Sequence, residues 1–168
     1  MPFVIAGAPR RTISVMAIFY FVRHAKAGSR TDWEGDDRKR PLSKKGLEQA
    51  GRLVKTFEPL PIAHVLSSPY LRCIETVAPL ALARGFSVTE TPALAEGAGL
   101  RGAYRFLEDA NLDEAILCTH GDVLLELVED LVRKRVLPGL TDQIDKGSTW
   151  VVQAENGKPV QARYIPAP

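Results

Sequence analysis

Two histidines occupy the same position relative to two apolar runs of the chain. His24 closely follows residues 19–22, with Arg23 between them, and His120 closely follows residues 115–118. Short apolar runs of this kind predict buried strands. A histidine at the end of a strand is commonly a packed core residue, but an imidazole can also act as a nucleophile or a general base near neutral pH. Whether these histidines are structural or chemical depends on which other side chains the predicted fold places beside them.

An arginine and a carboxylate follow the remaining predicted strands. The run 63–66 predicts a second strand, and Ser68-Pro69 predicts a helix start, with Ser68 as the cap and Pro69 at the first helical position. This start places Arg72 in the first turn of the helix. A weaker third strand is predicted at 86–88, and Glu96 follows it, just before a glycine-rich loop and a helix expected over about 101–110.

The alternation of strands and helices predicts an α/β fold. We expect a single three-layer α/β/α domain with a largely parallel sheet and right-handed crossovers. Asn156-Gly157, between two strand-like runs, predicts a C-terminal antiparallel hairpin. The length of 168 residues suits one domain, assigned to residues 16–168. Residues 1–15 are expected to be a flexible extension, or to precede a true start at Met16.

This fold would gather the chemical residues at one place. The carboxyl ends of parallel strands share one edge of a sheet, where ligands bind. The residues expected at that edge are Arg23, His24, Arg72, Glu96 and His120. Guanidinium forks and helix N-termini both favour phosphate oxygens, so the crevice should bind a phosphoryl group. One neutral imidazole could attack phosphorus and form a phosphohistidine, while the carboxylic acid could protonate the leaving oxygen and then activate water.

Composition argues against several classes of partner and cofactor. The chain is 45% apolar and 25% charged, which is ordinary for a soluble globular protein, and no apolar run is long enough to span a membrane. Its formal charge is only +2, and the basic residues clustered within 38–45 have no aromatic residues among them, so we expect no nucleic-acid partner. Cys73 and Cys118 lack metal-ligand spacing, which predicts no metal site. Without a signal-peptide pattern, a cytoplasmic location is expected.

Three motifs, in this order, resemble those of the histidine phosphatase superfamily, which includes phosphoglycerate mutases and SixA-type phosphohistidine phosphatases. They are Arg23-His24-Ala25, the Ser-Pro-x-x-Arg-x-x-x-Thr pattern from Ser68 to Thr76, and His120-Gly121. The resemblance extends over about residues 17–153. Ala25 replaces the commoner glycine, as in SixA-like members. The loop after the first motif also resembles the phosphatase domain appended to some actinobacterial Nudix hydrolases.

The resemblance implies a phosphoglycerate mutase-like fold and a phosphatase that works without a metal or other cofactor. It implies that His24 is the phosphorylated nucleophile, that Arg23, Arg72 and His120 hold the phosphoryl group, and that Glu96 is the proton donor. Arg30 stands where larger relatives often carry a phosphate-binding asparagine. The expected substrate is a phosphorylated protein, such as one carrying phosphohistidine, or a small phosphomonoester.

Alternatives remain open on the sequence alone. A phosphate-binding regulatory module without turnover is one, because a glutamate beside glycines, such as Glu96, is also typical of a solvated loop. A nucleotide phosphohydrolase is another, and a mutase is a third, although the small size of the chain favours simple hydrolysis. His64 lies within a strand and is interpreted as structural. The sequence indicates no particular oligomeric state.

Overall fold

A six-stranded sheet forms the centre of the computed structural model, which describes residues 13–168. The strand order is β3-β2-β4-β1-β5-β6. The pairs among β1 to β4 are parallel, whereas β5 pairs antiparallel with both β1 and β6. The predicted extension, residues 1–15, lies outside the described residues except for its last three. The mostly parallel α/β sheet and its antiparallel C-terminal hairpin are confirmed.

Strands and helices alternate along the chain until the final hairpin. The strands are β1 (Met16–Arg23), β2 (His64–Ser67), β3 (Thr89–Glu90), β4 (Ala115–Thr119), β5 (Thr149–Glu155) and β6 (Lys158–Ile165). The α-helices are α1 (Lys44–Thr56), α2 (Leu71–Arg84), α3 (Gly99–Leu107) and α4 (Gly121–Arg133). Within residues 13–168, no helix has both the length and the apolar character needed to cross a bilayer.

The sheet separates two hydrophobic clusters, as a three-layer fold requires. Phe19 and Phe21 of β1 pack in the cluster that α3 and α4 complete. Tyr20 and Val22 point to the opposite face and pack with α1 and α2. Side chains of a strand alternate between faces, so one short apolar run contributes to both sides of the core.

Local details of three predicted elements are wrong. The third strand lies at Thr89–Glu90 rather than at 86–88, because Gly85 ends α2 in a left-handed conformation and Phe86 N–H donates to Ala81 O. This cap occupies the backbone that was predicted to pair in a strand. Helix α3 begins and ends earlier than expected, at Gly99–Leu107. Helix α2 begins after Tyr70, so Ser68 is not its cap.

A close approach between α1 and the loop after β1 gives a stability prediction. A Cβ added at Gly46 would overlap Lys26 O and lie 2.9 Å from the Lys26 carbonyl carbon. Gly46→Ala should therefore lower the free energy of unfolding by about 2 kcal/mol or more, despite the better helix propensity of alanine. Urea denaturation measures this change. Gly51→Ala on the same helix meets nothing within 4 Å and is the matched control; it should stabilise by about 0.5 to 1 kcal/mol. Equal effects at the two positions would contradict the prediction.

Candidate active site

A cavity of about 580 Å³ lies at the carboxyl edge of the parallel strands. Five of the six residues predicted to form the site line it, namely Arg23, His24, Arg30, Glu96 and His120. The sixth, Arg72, contacts Glu96 at its side. The rings of His24 and His120 lie edge to face, with centroids 5.3 Å apart. The structure thus brings together all of the residues that the sequence assigned to this edge.

His24 is held in one orientation by its own loop. Its Nδ1 lies 2.8 Å from Ala25 O, and Ala25 N–H donates to Thr76 Oγ1 at 2.9 Å. Because a carbonyl oxygen only accepts, Nδ1 must carry the proton. In a neutral ring the lone pair is then on Nε2, which makes no hydrogen bond within residues 13–168. His24 therefore has the tautomer of a nitrogen nucleophile.

Burial keeps this imidazole neutral. His24 is 7% exposed, and burial, assisted by the nearby His120, Arg72 and Arg23, lowers its pKa to about 3. Since an exposed histidine titrates near 6.5, the ring is uncharged throughout the physiological range. A neutral imidazole beside guanidinium groups is the form that can attack an electrophile bound by those groups.

The depressed pKa of His24 predicts how stability depends on pH. In the unfolded chain His24 takes up a proton near pH 6.5, whereas in the folded chain it does so only near pH 3. The unfolded state thus binds more protons below pH 6.5, and His24 lowers the free energy of unfolding by about 3 kcal/mol between pH 6.5 and about pH 4. Above pH 6.5 it has no effect. Urea denaturation of wild type and His24→Gln across this range should show a shallower acid loss in the variant; parallel curves would contradict the prediction.

His120 sits at the first residue before α4 and is nearly fully buried. Its Nε2 lies 2.8 Å from Ser68 Oγ and 3.5 Å from Cys73 Sγ. Its Nδ1 is buried without a hydrogen-bond partner within the described residues. A hydroxyl on one nitrogen fixes the ring and leaves the other nitrogen free to donate to a bound anion.

Arg72 is held between two carboxylates. It has no exposed surface, and its Nη2 lies 3.1 Å from Asp37 Oδ2 and 3.3 Å from Glu96 Oε2. Its Nη1 donates to Asp37 O at 2.9 Å, and Tyr70 covers the guanidinium, with the ring centroid 4.7 Å away. Asp37 also accepts from Arg40 Nε at 2.8 Å. Asp37 is therefore the anchor of a rigid, buried arginine.

Glu96 bridges two arginines at the rim of the cavity. Its Oε2 contacts Arg72, and its Oε1 accepts from Arg30 Nη2 at 2.9 Å. The loop that carries it is tied to α4, because Gly97 N–H donates to Asp122 Oδ2 at 2.7 Å. Glu96 is thus held at the carboxyl edge of the sheet as an ion-paired carboxylate. Arg30, its ion-pair partner, also lines the cavity.

Arg23 reaches the site beneath the start of α4. Its Nη1 donates to Ile144 O at 2.5 Å, while its Nε is buried with no partner among the described residues. Arg72 Nε is likewise buried with no hydrogen-bond partner among the described residues. Buried donors without partners are costly in a folded protein, so these two indicate a ligand that accepts hydrogen bonds here.

Gly121 allows this position of Arg23 and gives a prediction for the kinetics. A Cβ at residue 121 would lie 2.8 Å from Arg23 Nη2 and 2.9 Å from Nε. Gly121→Ala should keep the fold but displace the guanidinium, and so lower kcat/KM for a phosphate ester by about 10- to 100-fold. Steady-state kinetics beside circular dichroism and Tm measurements test this. Unaltered kinetics in a folded variant would show that the Arg23 position is not needed.

The sequence did not identify two residues of this site. Ser68 was interpreted as a helix cap, yet its hydroxyl contacts His120. Asp37 lies in the loop after the first motif, for which a resemblance to a phosphatase domain was noted, but no local pattern marked it as the partner of Arg72. The only sequence feature that could have indicated an ion pair at Asp37 is its position directly before the basic residues 38–40. Within residues 13–168, no cluster of three or more His, Cys, Asp or Glu side chains is arranged to hold a metal ion.

Comparison with known families places half of the chain in one of them. The model of the histidine phosphatase superfamily (branch 1) matches residues 19–102. That range contains Arg23, His24, Arg72 and Glu96, whereas His120 lies beyond it. The match includes the first two of the three motifs that indicated this resemblance.

A curated relative of this chain is also described as a phosphatase. The 8-oxo-(d)GTP phosphatase of Mycolicibacterium smegmatis is 36% identical over 153 residues, which are 88% of this chain and 47% of that protein. This chain therefore spans about half the length of the curated relative it matches.

Solved structures agree on the fold. The SixA protein of Agrobacterium tumefaciens aligns with a TM-score of 0.67 and 22% identity over 90% of this chain and 98% of that one. The protein histidine phosphatase SixA complexed with tungstate aligns with a TM-score of 0.68 and 18% identity, over 88% and 94% of the two chains. These likenesses confirm a phosphoglycerate mutase-like fold.

Proposed function

Because this chain belongs to the histidine phosphatase superfamily, we propose that it transfers a phosphoryl group from its substrate to His24 and then to water. The substrate is a phosphorylated protein or a small phosphate ester. Arg23, Arg72 and His120 bind the phosphoryl oxygens, and Arg30 takes part at the rim through Glu96. No metal is needed in this scheme, since guanidinium groups supply the positive charge.

The tautomer of His24 is the observation that carries the proposal. The hydrogen bond from Nδ1–H to Ala25 O leaves the Nε2 lone pair free, and burial keeps the ring neutral. A histidine that only completed the core would not need a cavity on its other side, nor two arginines with unused buried donors beside it. This arrangement suits nucleophilic attack on an anionic phosphorus centre.

The reaction follows from these positions. The Nε2 lone pair forms a bond to phosphorus as the bond to the leaving oxygen breaks, and the electron pair departs with that oxygen. Guanidinium donors and the His120 Nδ1–H stabilise charge on the transferring oxygens. Glu96 is the candidate donor of a proton to the leaving oxygen and the candidate base for water in the second step. Its two arginine contacts must loosen for it to do so.

Trapping the intermediate tests the proposal. Rapid acid-free quenching of wild type with a ³²P-labelled phosphate ester should give a labelled protein whose label is stable to alkali and lost in acid, as expected for a phosphoramidate. Tryptic mapping should locate the label at His24, and EDTA should not reduce the yield. A labelled serine, or turnover that requires an added metal, would overturn the proposal. Phosphate binding with no turnover would instead favour the regulatory module.

A nucleotide is the second candidate substrate. It is favoured by the 36% identity to a protein described as an 8-oxo-(d)GTP phosphatase. That protein is about twice as long as this chain, so its activity need not reside in the shared part. Comparing nucleoside phosphates with phosphohistidine-bearing proteins at equal concentration tests which of the two substrate classes this site prefers.

A further inference from the structure

Two lysines face the active-site cavity beside the phosphoryl-binding groups. Lys26 lies two residues after His24, and Lys146 lies in the segment before β5; both line the cavity and both are exposed. Neither forms a salt bridge with any residue in the described part of the chain. The catalytic scheme above uses neither of them.

A buried glutamine links the backbones of these two lysines. Gln49 of α1 is 7% exposed, and its Oε1 accepts from Lys26 N–H at 3.0 Å while its Nε2 donates to Lys146 O at 2.9 Å. Gly147 N–H donates to Arg23 O at 3.1 Å, which holds the same segment against β1. The backbones of both lysines are therefore anchored to the segment that carries the nucleophile.

Cations outnumber carboxylates around this pair. Glu96 is paired with two arginines, whereas Asp122 and Asp145 accept only from neutral donors, Gly97 N–H and Tyr164 O–H at 3.0 Å, and keep their charge. The cavity lining carries five cations, Arg23, Lys26, Arg30, Arg40 and Lys146, against two carboxylates, Glu96 and Asp122. Burial lowers the pKa of Lys146, and nearby cations lower it further, chiefly Arg23, Arg40, Lys26 and Arg30. Positive charge is thus concentrated here in excess of what the protein neutralises, which favours an anionic ligand.

We propose that Lys26 and Lys146 bind a second phosphate directly attached to the transferring one, so that the substrate is a diphosphate ester. This inference rests on the proposed function and specifies its substrate class. The subsite adjoins the first phosphate, because Lys26 follows His24 after a single residue and both lysines line the same cavity as His24. A lysine ammonium binds such a phosphate as a compact point charge.

The chemistry of a phosphoanhydride also suits the state of Glu96. His24 Nε2 bonds to the terminal phosphorus, the bond from that phosphorus to the bridging oxygen breaks, and the electron pair stays on the departing phosphate monoester. Such a phosphate has a pKa of about 6, so it leaves without first receiving a proton. During this first step Glu96 can remain paired with Arg72 and Arg30, while the lysines hold the charge that develops on the leaving group. In the second step a water oxygen bonds to phosphorus as the bond to His24 Nε2 breaks. The electron pair returns to Nε2, Glu96 is the candidate acceptor of the water proton, and orthophosphate leaves.

Substrate discrimination tests the subsite. Wild type should hydrolyse GDP with kcat/KM about 100-fold above that for GMP, and the ratio should fall close to unity in Lys26→Gln/Lys146→Gln, because each lost charged contact costs roughly tenfold or more. The control Lys55→Gln/Lys158→Gln makes the same charge change at the end of α1 and at the start of β6. It should keep the wild-type ratio.

Each contrary result has a separate meaning. Equal rates for GDP and GMP in wild type, or an unchanged ratio in the Lys26/Lys146 variant with a wild-type Tm, would overturn the subsite. A higher kcat/KM for fructose 1,6-bisphosphate than for GDP would do the same, since its phosphates are far apart. Wild type that neither hydrolyses p-nitrophenyl phosphate nor forms a phosphoenzyme would instead overturn the proposed function itself, and the subsite with it.

Discussion

Replacing His24 by alanine is expected to lower kcat for p-nitrophenyl phosphate by roughly 10⁴-fold or more, the scale on which removal of a nucleophile acts. The reason is geometric as well as chemical. The Nδ1–H bond to Ala25 O leaves the lone pair of His24 on Nε2, which has no hydrogen-bond partner in the described part of the chain. In His120, the other imidazole of the site, Nε2 is instead in contact with Ser68 Oγ. Loss of the ring removes the atom on which the first bond forms. Steady-state release of phosphate and the yield of ³²P-labelled protein measure both effects.

The chain supplies a matched control in His64, the one of its three histidines that lies outside the candidate site. His64 opens β2 at the edge of the sheet opposite the cavity and pairs in register with Ala115. His64→Ala should keep kcat within about twofold, since substitutions away from a site rarely alter it. Full activity in His24→Ala, or an equal loss in the two variants, would overturn the nucleophile assignment. Tm values of both variants separate loss of chemistry from loss of fold.

Residues next to strand ends were predictable from the sequence. Arg23 ends β1 and His24 follows it, Arg72 follows β2 by one short turn, and His120 follows β4 directly. The parallel topology fixes where such residues lie, because the crossovers return β2, β3 and β4 in the direction of β1. No knowledge of loop conformation is needed. The hairpin was predictable from local turn chemistry. Its two-residue turn needs positive φ at both positions, which Asn156 and Gly157 adopt readily and do adopt here.

Residues that depend on loop conformation could not be predicted in the same way. Asp37 reaches Arg72 only because the loop after β1 folds back, held by the bridge between Ala27 and Leu42 and by Arg40 donating to Gly28 O. Those contacts are tertiary, and no local periodicity encodes them. Lys146 and Lys26 are 120 positions apart in the sequence, and their backbones are linked through the buried side chain of Gln49 on α1. Pairings of this kind become visible only when the segments are placed together.

Arg72→Gln is expected to lower kcat/KM for p-nitrophenyl phosphate by about 10²- to 10³-fold, as removal of one preorganised donor to developing charge does. The guanidinium is completely buried, clamped by Asp37 and Glu96 and covered by Tyr70, so it enters the reaction without reorganisation. Its Nε still lacks a partner, which leaves a donor for the phosphoryl oxygens. Glutamine keeps a polar side chain but lacks the charge and the fork of donors.

Arg52→Gln, on the exposed face of α1, is the control for the same chemical change and should leave kcat/KM within about twofold. The two readings of Arg72 differ in a second measurement. An arginine that only neutralised Asp37 and Glu96 would, when removed, lower Tm and leave kcat/KM of the folded fraction intact, because two partly exposed carboxylates can be hydrated instead. An arginine that holds the phosphoryl group would lower kcat/KM in fully folded protein and weaken inhibition by orthophosphate by a similar factor. The unused Nε favours the second result, and unchanged orthophosphate inhibition would contradict it.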